Sequence, residues 1–402
     1  MRVLTIASNF PDRYYPTIAP WSKLQVDSIC QYTDCDIELI SPRPYTIPYK
    51  LFPFYQFGKL PLYEKSDLGY LIHYPKYFYI LPKTIFFPLS GICFAHCITG
   101  YCSKNIARPD IIHARFGYMD GYGSLEICKK WEIPLVFDVH GLPDFGVFHK
   151  QPLIRKFYQN TIQYTKKILC VAKWQVKKGI SIGIPEGKLE YIPLGVDIER
   201  FNQIIESDEC KNNKNLPDGK LIFLFVGHLN KMKGVAYLLQ AISLLADEIK
   251  EKCHFTIVGD GPEKNKLRHE ADSFGLNPYI TFAGRVVGDD LIRLYASAYV
   301  FVLPSLSEGR PTVINEAMVS GCAIIGSNID GISEQVTDGY NGFLVDPASP
   351  HQLAEKISLL AEDENLINIM GKNSRRKISD DGITWKNYAK KVEKVYTDIL
   401  NE

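Results

Sequence analysis

The sequence lacks a charge imbalance and lacks a long uninterrupted apolar run. Lysine and arginine number 46 and aspartate and glutamate 45 in 402 residues, so the formal net charge is +1. This balance argues against a nucleic-acid binder that relies on a dominant basic field. Residues 84–102 carry no formal charge, but Pro88, His96 and two glycines interrupt them. We therefore expect a core helix there in preference to a membrane span.

Disulfide and metal-binding patterns are absent as well. The ten cysteines form no CxxC pair and show no metal-like spacing with histidine. Cys93, Cys97 and Cys102 share an apolar stretch in which buried thiols are common. The apolar run at residues 1–7 is too short for a signal peptide. We expect reduced thiols, a cytoplasmic location and no metal cofactor.

What the sequence does contain is a regular alternation of strand patterns and helix patterns. With 402 residues, 46% of them hydrophobic, the chain is long enough for two domains with ample cores. Continuous apolar runs such as 221–227 predict parallel strands that are buried on both faces. The repeated strand–helix order predicts an α/β fold with doubly wound sheets. The polar run at 206–219 is the predicted boundary between the domains.

The segment at 299–326 combines a strand, a loop and a helix. Its first five residues are aromatic or aliphatic and predict a buried strand that Pro304 stops. Pro311 suits the first turn of a helix that ends at Gly321. The free N–H groups of that turn would point beyond the carboxyl end of the strand, where open α/β sheets bind ligands. An anion fits this position.

Two carboxylates flank this turn. Glu308 lies in the loop before the helix, and Glu316 lies more than one turn into it. A carboxylate beside a phosphate site must face hydrogen-bond donors, and the vicinal hydroxyls of a sugar match its two oxygens. The alternative is that both are solvated surface acids near a helix start, where negative charge is mildly favourable.

The run EGRPTVINEAM at 308–318 resembles the signature of the retaining GT-B glycosyltransferases of family four, the glycosyl transferases of group 1. The resemblance implies two Rossmann-like, doubly wound domains that face each other across a cleft. It implies that Glu308 contacts the hydroxyls of a donor sugar and that Glu316 contacts the nucleotide ribose. The sugar and the diphosphate would be held by main-chain amides near Gly309, Arg310 and Thr312.

A basic loop after the strand at 221–227 is a second part of the implied donor site. In the family, this loop supplies an arginine and a lysine to the diphosphate. Lys233 matches the lysine, whereas His228 occupies the position of the arginine, and a neutral imidazole offers one donor instead of a bidentate fork. The alternative is a loop of solvated lysines at a helix start. By the same resemblance, the nucleotide base meets the backbone near Arg285 and Val286.

Two histidines end strand patterns in the first half of the chain. His140 precedes a glycine, a position from which a side chain faces a cleft. The run at 137–141 with Asp144 resembles the interdomain His-Gly segment of the family, so His140 is predicted to lie near the donor sugar or the attacking hydroxyl. His113 has a similar position and is a candidate on the acceptor side. The alternative for both is a structural histidine.

The N-terminal region departs from the family in its first loop. Ala19, Pro20 and Trp21 stand where the family often has small glycines that let an acceptor approach, so no acceptor residue is assigned there. Asp34 and Asp36 have the DxD spacing of metal-dependent transferases. Because they directly precede a strand pattern, we interpret them as an ordinary turn.

Residues 42–88 are dense in tyrosine, phenylalanine, proline and lysine. Amphipathic aromatic side chains with interspersed lysines suit the interface of an anionic bilayer. We hypothesise peripheral contact with the inner face of the membrane, near a lipid-linked acceptor. The same composition also suits an acceptor cleft or a domain core.

The resemblance therefore implies a retaining, hexosyltransferase-type enzyme that moves a sugar from a nucleotide-diphosphate sugar to a hydroxyl of a glycan or lipid-linked glycan. Cell-surface polysaccharide or glycolipid biosynthesis is the expected role. Residues 1–205 would form the acceptor-side domain, residues 206–384 the linker and the donor-side domain, and a helix at 385–402 would pack back on the first. Two alternatives stay open: a sugar-nucleotide epimerase of the same architecture, and a catalytically silent nucleotide-sugar-binding scaffold.

Overall fold

A computed structural model describes residues 1–16, 18–45, 55–79, 86–141, 145, 150–206, 217 and 219–402. The strands in these residues are β1 (Arg2–Ile6), β2 (Asp36–Ile40), β3 (Arg43–Pro44), β4 (Tyr63–Lys65), β5 (Leu71–His73), β6 (Lys76–Tyr77), β7 (Ile111–Ala114), β8 (Leu135–Val139), β9 (Lys167–Cys170), β10 (Leu189–Tyr191), β11 (Leu221–Val226), β12 (Cys253–Val258), β13 (Ile280–Gly284), β14 (Val300–Leu303), β15 (Ala323–Ser327) and β16 (Gly342–Val345).

The helices are α1 (Pro20–Tyr32), α2 (Phe87–Asn105), α3 (Tyr122–Trp131), α4 (Pro152–Tyr164), α5 (Lys173–Ser181), α6 (Ile198–Ile205), α7 (Val235–Leu244), α8 (Asp247–Lys252), α9 (Lys264–Ser273), α10 (Asp289–Ser297), α11 (Thr312–Ser320), α12 (Asp330–Ser333), α13 (Pro350–Glu362), α14 (Glu364–Asp380) and α15 (Trp385–Asn401). Asp144, most of the predicted linker at 206–219 and parts of the aromatic stretch at 42–88 lie outside the described residues.

The chain divides into two compact units. Unit 1 comprises Met1–Leu194 together with Trp385–Glu402, and unit 2 comprises Gly195–Thr384. The division precedes the predicted boundary at 205/206 because α6 packs within unit 2. Phe201 of this helix is buried, and its ring lies 6.3 Å from that of Tyr295.

Unit 1 contains a sheet in the order β10-β9-β8-β7-β1-β2-β5-β4, in which β4 alone of these strands runs antiparallel, to β5. Consecutive residues of β1 enter different hydrophobic clusters, since Val3 packs on one face and Leu4 on the other. Helices α1 and α15 cover the first face, and α2 and α3 cover the second. Burial on both faces explains why apolar residues point to both sides of β1.

Unit 2 contains a parallel sheet in the order β13-β12-β11-β14-β15-β16. All six residues of β11 are buried. In the order of the chain, the strands run 3-2-1-4-5-6, which is the doubly wound arrangement that the alternation predicted. The strand order reverses between β11 and β14, and unit 1 has the equivalent reversal between β1 and β7. In such sheets, ligands bind outside the carboxyl ends of the strands at this reversal.

Two local predictions can be compared with the structure. Helix α2 is a core helix, since Phe94, Ile98 and Cys102 are fully buried. In the part of the chain that the structure describes, no helix combines the length and the hydropathy needed to span a membrane. Helix α11 ends at Ser320, directly before the predicted stop at Gly321, whose φ is 83°, but it begins at Thr312. Pro311 therefore precedes the helix instead of occupying its first turn.

Candidate functional site

The loops after β11 and β14 meet where the strand order of unit 2 reverses. Gly234 ends the first loop with φ at +69°, and a Cβ atom at this position would lie 1.9 Å from the carbonyl oxygen of Pro304 in the second loop. Only glycine fits such a contact. The amide of Leu306 donates to the carbonyl of Met232 over 2.7 Å. The main chains of the two loops are therefore tied together.

This contact brings two predicted site residues together. The Nζ atom of Lys233 lies 2.6 Å from Oε1 of Glu308, and the hydroxyl of Ser305 donates to the same oxygen over 2.7 Å. The side chain of Asn230 accepts from the amide of Lys233 over 3.1 Å, which fixes the turn that carries the lysine. The side chains of Lys233 and Glu308 are 22% and 10% exposed. A cation that can bind phosphate and a carboxylate that can bind hydroxyls thus share one hydrogen bond.

The N-terminus of α11 comes directly after this loop. Pro311 is extended, with φ at −70° and ψ at 119°, and no side chain among the described residues caps the helix. Gly309 and Thr312, two of the residues predicted to offer main-chain amides, are partly exposed. Uncapped amides in a first helical turn carry partial positive charge and favour anions.

The Arg310 side chain has a different environment from the one that a phosphate ligand needs. Arg310 is buried, and its Nη1 donates to Oδ1 of Asn315 over 3.3 Å. Gln335 donates from Nε2 to the same Oδ1 over 2.7 Å and to the carbonyl of Pro311 over 3.2 Å. These bonds hold the loop that carries Glu308 against α11. The resemblance assigned the main-chain amide of Arg310, and not this side chain, to the ligand.

Glu316 is partly buried in α11 beside the fully buried Tyr295. Burial raises the pKa of Glu316 to about 7, and the Tyr295 hydroxyl acts in the opposite direction. Near neutral pH, the carboxyl is therefore divided between its protonated and ionised forms. Hydrogen-bond donors, such as ribose hydroxyls, would favour the ionised form and lower this pKa.

The other three predicted donor-site residues also lie at the carboxyl edge of the unit 2 sheet. His228 is exposed in the loop after β11. Arg285 is exposed and Val286 is partly buried, and both come after β13. Because β12 separates β13 from β11, Arg285 and Val286 stand apart from the residues around Lys233.

In unit 1, His140 comes directly after β8 at the carboxyl edge of the sheet. Its ring centroid lies 4.1 Å from that of Trp21 and 5.4 Å from that of Phe116, and its side chain is 11% exposed. Burial lowers the pKa of His140 to about 4, although Asp138 opposes this effect. The imidazole is therefore neutral near pH 7. The tryptophan in the position of the family's small glycines covers this histidine, a contact that the sequence did not reveal.

His113, the predicted acceptor-side candidate, lies in β7 and is fully buried. Its Nδ1 lies 2.5 Å from the hydroxyl of Tyr396, and its Nε2 lies 2.8 Å from Oδ1 of Asp138. A fully buried ring in this position cannot contact an acceptor directly and can affect one only through the residues that it contacts. Sequence reasoning passed over Asp138 and Arg115, although alternation along a strand places residues 113 and 115, and likewise 138 and 140, on one face.

Comparison with protein families assigns both halves of the chain. Residues 206–377 match the family model described as glycosyl transferases group 1, and residues 54–200 match the model described as glycosyltransferase family 4. TuaC of Bacillus subtilis strain 168, whose name places it among teichuronic acid biosynthesis glycosyltransferases, is 27% identical over 370 residues. That alignment covers 89% of this chain and 88% of TuaC.

Comparison with solved structures agrees on the fold. The sucrose-phosphate synthase of Thermosynechococcus elongatus has a TM-score of 0.79 and 17% identity, covering 100% of this chain and 99% of the synthase. Anabaena HepE, solved in complex with UDP-glucose, has a TM-score of 0.74 and 17% identity, covering 99% of this chain and 100% of HepE. At these identities, the likeness establishes the architecture alone.

Proposed function

Because the chain belongs to the group 1, family 4 glycosyltransferases and has their GT-B fold, we propose that it transfers a hexose from a nucleotide-diphosphate sugar to an acceptor hydroxyl, with retention of anomeric configuration. Unit 2 binds the donor in this proposal, and unit 1 serves the acceptor. The complex of HepE with UDP-glucose supports a nucleotide-sugar donor, since HepE shares this fold.

The observation that carries the proposal is the Lys233–Glu308 pair beside the uncapped N-terminus of α11. The diphosphate of a donor carries more negative charge than one carboxylate and can replace Glu308 as the partner of Lys233. Glu308 is then released to accept hydrogen bonds from the sugar hydroxyls. Amides of Gly309, Arg310 and Thr312 complete the anion site, and ionised Glu316 accepts from the ribose.

The reaction uses this arrangement directly. The bond between the anomeric carbon and the phosphate oxygen breaks, and the leaving diphosphate keeps the electron pair. The acceptor oxygen bonds to the anomeric carbon on the same face, and its proton passes to the leaving phosphate. Lys233 and the helix amides stabilise the charge that grows on the diphosphate, so the proposal needs no metal ion. Neutral His140 serves as a hydrogen-bonding group toward the sugar or the attacking hydroxyl.

A cell-surface glycan or lipid-linked glycan is the proposed acceptor. The teichuronic acid role in the name of TuaC supports this choice. The side chains of Tyr45, Phe78 and Phe86 are exposed, which supports contact of a cytoplasmic protein with the inner membrane face. Cosedimentation with anionic liposomes at low salt tests this contact, and protein that stays in the supernatant would remove it from the proposal.

The donor site is tested by a thermal-shift screen against UDP, GDP, ADP and CMP and their common sugar conjugates. A ligand at 100 times its dissociation constant adds about 2.7 kcal/mol of stability, which a melting curve resolves. We expect one diphosphate to raise the melting temperature, and the shift to disappear in Lys233→Ala but to persist in Lys252→Ala, which alters an exposed lysine of the same unit. No shift with any nucleotide would favour the silent scaffold. A new sugar nucleotide formed without acceptor would identify an epimerase.

A further inference from the structure

Unit 1 contains a buried polar network at the carboxyl ends of β7 and β8. The Asp138 carboxylate is its centre. His113 Nε2 lies 2.8 Å from Oδ1, while Arg115 Nη1 and Gln25 Nε2 donate to Oδ2 over 2.7 Å and 3.2 Å. Each of these four residues is at most 1% exposed. The network therefore holds a complete carboxylate–guanidinium pair inside the protein.

Helix α15, from the far end of the chain, closes this network. The hydroxyl of Tyr388 accepts from Gln25 Nε2 over 2.7 Å and from Arg115 Nη1 over 3.3 Å. The hydroxyl of Tyr396 lies 2.5 Å from Nδ1 of His113. Both tyrosines are buried. The C-terminal helix thus supplies polar groups as well as apolar packing.

Stability alone does not account for the network. A buried ion pair loses the hydration of both charges and is often no more stable than apolar residues of the same volume. Within the described residues, Nε and Nη2 of Arg115 and Oε1 of Gln25 have no hydrogen-bond partner, and each such buried atom costs free energy. A sequence selected only for stability would not be expected to keep these groups, which indicates that they serve another residue.

That residue is His140. Its Nε2 lies 3.8 Å from Oδ2 of Asp138, and its ring has a hydrogen bond to the main chain of Arg115. Trp21 and Phe116 cover the ring with uncharged surface. Among the residues that the structure describes, the charged or titratable groups that act on His140 include Asp138, which favours protonation, and Arg115 and His113, which oppose it. Helix α15 contributes the hydroxyls of Tyr388 and Tyr396 to the network.

We propose that Arg115 and Asp138 are positioning residues that act through His140: as a pair of zero net charge, they fix the ring at the sheet edge and keep it uncharged. Asp138 alone would favour a proton on the imidazole, and Arg115 opposes that attraction in the same direction as burial. An uncharged ring can accept or donate one hydrogen bond to a hydroxyl. The catalytic meaning of this arrangement rests on the proposed function, but the protonation state does not.

The test monitors the histidine ring signals by ¹⁵N-resolved NMR in the full-length, ligand-free protein, with the His140 signals assigned from His140→Asn. The pKa of His140 should rise by at least one unit in Arg115→Met, because Asp138 then lacks its counter-charge. In the isosteric Asp138→Asn, the His140 signal should stay at its neutral position to the lowest pH at which the protein remains folded. Lys252→Ala, at an exposed position in unit 2, is the control variant and should leave the His140 signals unchanged.

The His140 pKa is expected to move in opposite directions in the two variants, which separates this role from a merely structural one. Loosened packing would admit water and raise the pKa of the buried histidine toward its ordinary value in both variants. An upward shift of the His140 pKa in both variants, or the lack of an upward shift in Arg115→Met, would overturn the proposal. If Arg115→Met does not fold, Asp138→Asn alone decides, since only the charge effect predicts its direction.

The pH profile of nucleotide release from the sugar nucleotide that the thermal-shift screen selects then tests the link to catalysis. In Arg115→Met, the acid limb of this profile should shift to higher pH, in step with the titration of His140. A limb that stays at the wild-type position while the NMR titration moves would overturn the positioning role. An inactive wild-type protein with the expected titration would count against the proposed function and leave the charge pairing supported.

Discussion

The two units use the same strand reversal but place their charged groups in different ways. In unit 2, Lys233 and Glu308 pair at the edge of solvent, where both remain partly exposed. In unit 1, Asp138 and Arg115 pair where at most 1% of either residue is exposed. The first pair can exchange its partners when a ligand arrives. The second pair cannot, and it influences a ligand only through His140.

This difference shows that the strand order fixes where a site lies but not how its charged groups interact with a ligand. Parallel strands in this order put their loops at one edge in both units. The chemistry of each edge depends on whether a loop leaves its charges accessible or a further helix covers them. Unit 1 has α15 over its edge residues, whereas in unit 2 the corresponding loops end at Gly234 and at the uncapped start of α11. Variants of residues in both units test the contrast.

The largest expected effect is on turnover in Glu308→Gln. Loss of the carboxylate removes charge-assisted hydrogen bonds to the sugar. With the donor that the thermal-shift screen selects, taken here as UDP-glucose, we expect transfer to slow by about 100-fold. UDP binding should become somewhat tighter, because Lys233 no longer has a competing partner. Turnover and UDP titration by calorimetry measure the two effects. Glu362→Gln, at the exposed end of α13, is the matched control, and a parallel loss of UDP affinity would contradict partner exchange.

Lys233→Ala should weaken UDP binding by about 10- to 100-fold, the usual range for one charge-assisted hydrogen bond. The same titration measures the change, with Lys252→Ala as the control. Lys233→Arg should recover part of the affinity, since it retains the charge. Unchanged binding in Lys233→Ala would mean that the accessible pair of unit 2 is as remote from the ligand as the buried pair of unit 1.

The contributions of Glu316 and His140 to the free energy of unfolding should depend on pH in opposite directions. The pKa of Glu316 is raised from 4.5 to about 7 on folding, so its contribution is fully present below pH 4.5 and is lost as the pH rises through about 7. The pKa of His140 is lowered from 6.5 to about 4, so its contribution is present above pH 6.5 and is lost as the pH falls through about 4.

Urea unfolding of the ligand-free protein between pH 4 and pH 8 measures these slopes. Glu316→Gln should remove the decline of stability toward pH 7 and leave the loss below pH 6.5 in place. His140→Asn should do the reverse. If Glu316→Gln left the pH profile unchanged, folding would not shift the pKa of Glu316, and the environment assigned to α11 would be incorrect.

The smallest expected effect is that of His228→Arg. This exposed position offers one imidazole donor where an arginine would offer a fork, so the variant should bind UDP about three- to tenfold more tightly. Its melting temperature without ligand should not change. Weaker UDP binding would show that the histidine is adapted to its ligand and does not merely replace an arginine.

The sequence by itself determined the elements and most of the candidate donor site. Strand patterns depend on alternation over a few residues, and the segment from β14 to α11 contains its own strand, loop and helix start. Glu308 and Glu316 could therefore be identified from local spacing. The same reasoning placed Lys233 between β11 and α7.

The tertiary structure alone decided which of these residues meet. Lys233 and Glu308 are 75 positions apart and touch because β12 and β13 lie on the other side of β11, which leaves β14 as its neighbour. The local sequence makes His113 a candidate for solvent contact, but Tyr396, 283 positions later in the chain, covers it. Trp21 over His140 is a contact of the same kind. Periodicity indicates which face of an element is apolar, but it carries no information about the distant segment that packs there. That segment decides whether a polar side chain can bind a ligand itself or instead supports another side chain that binds the ligand.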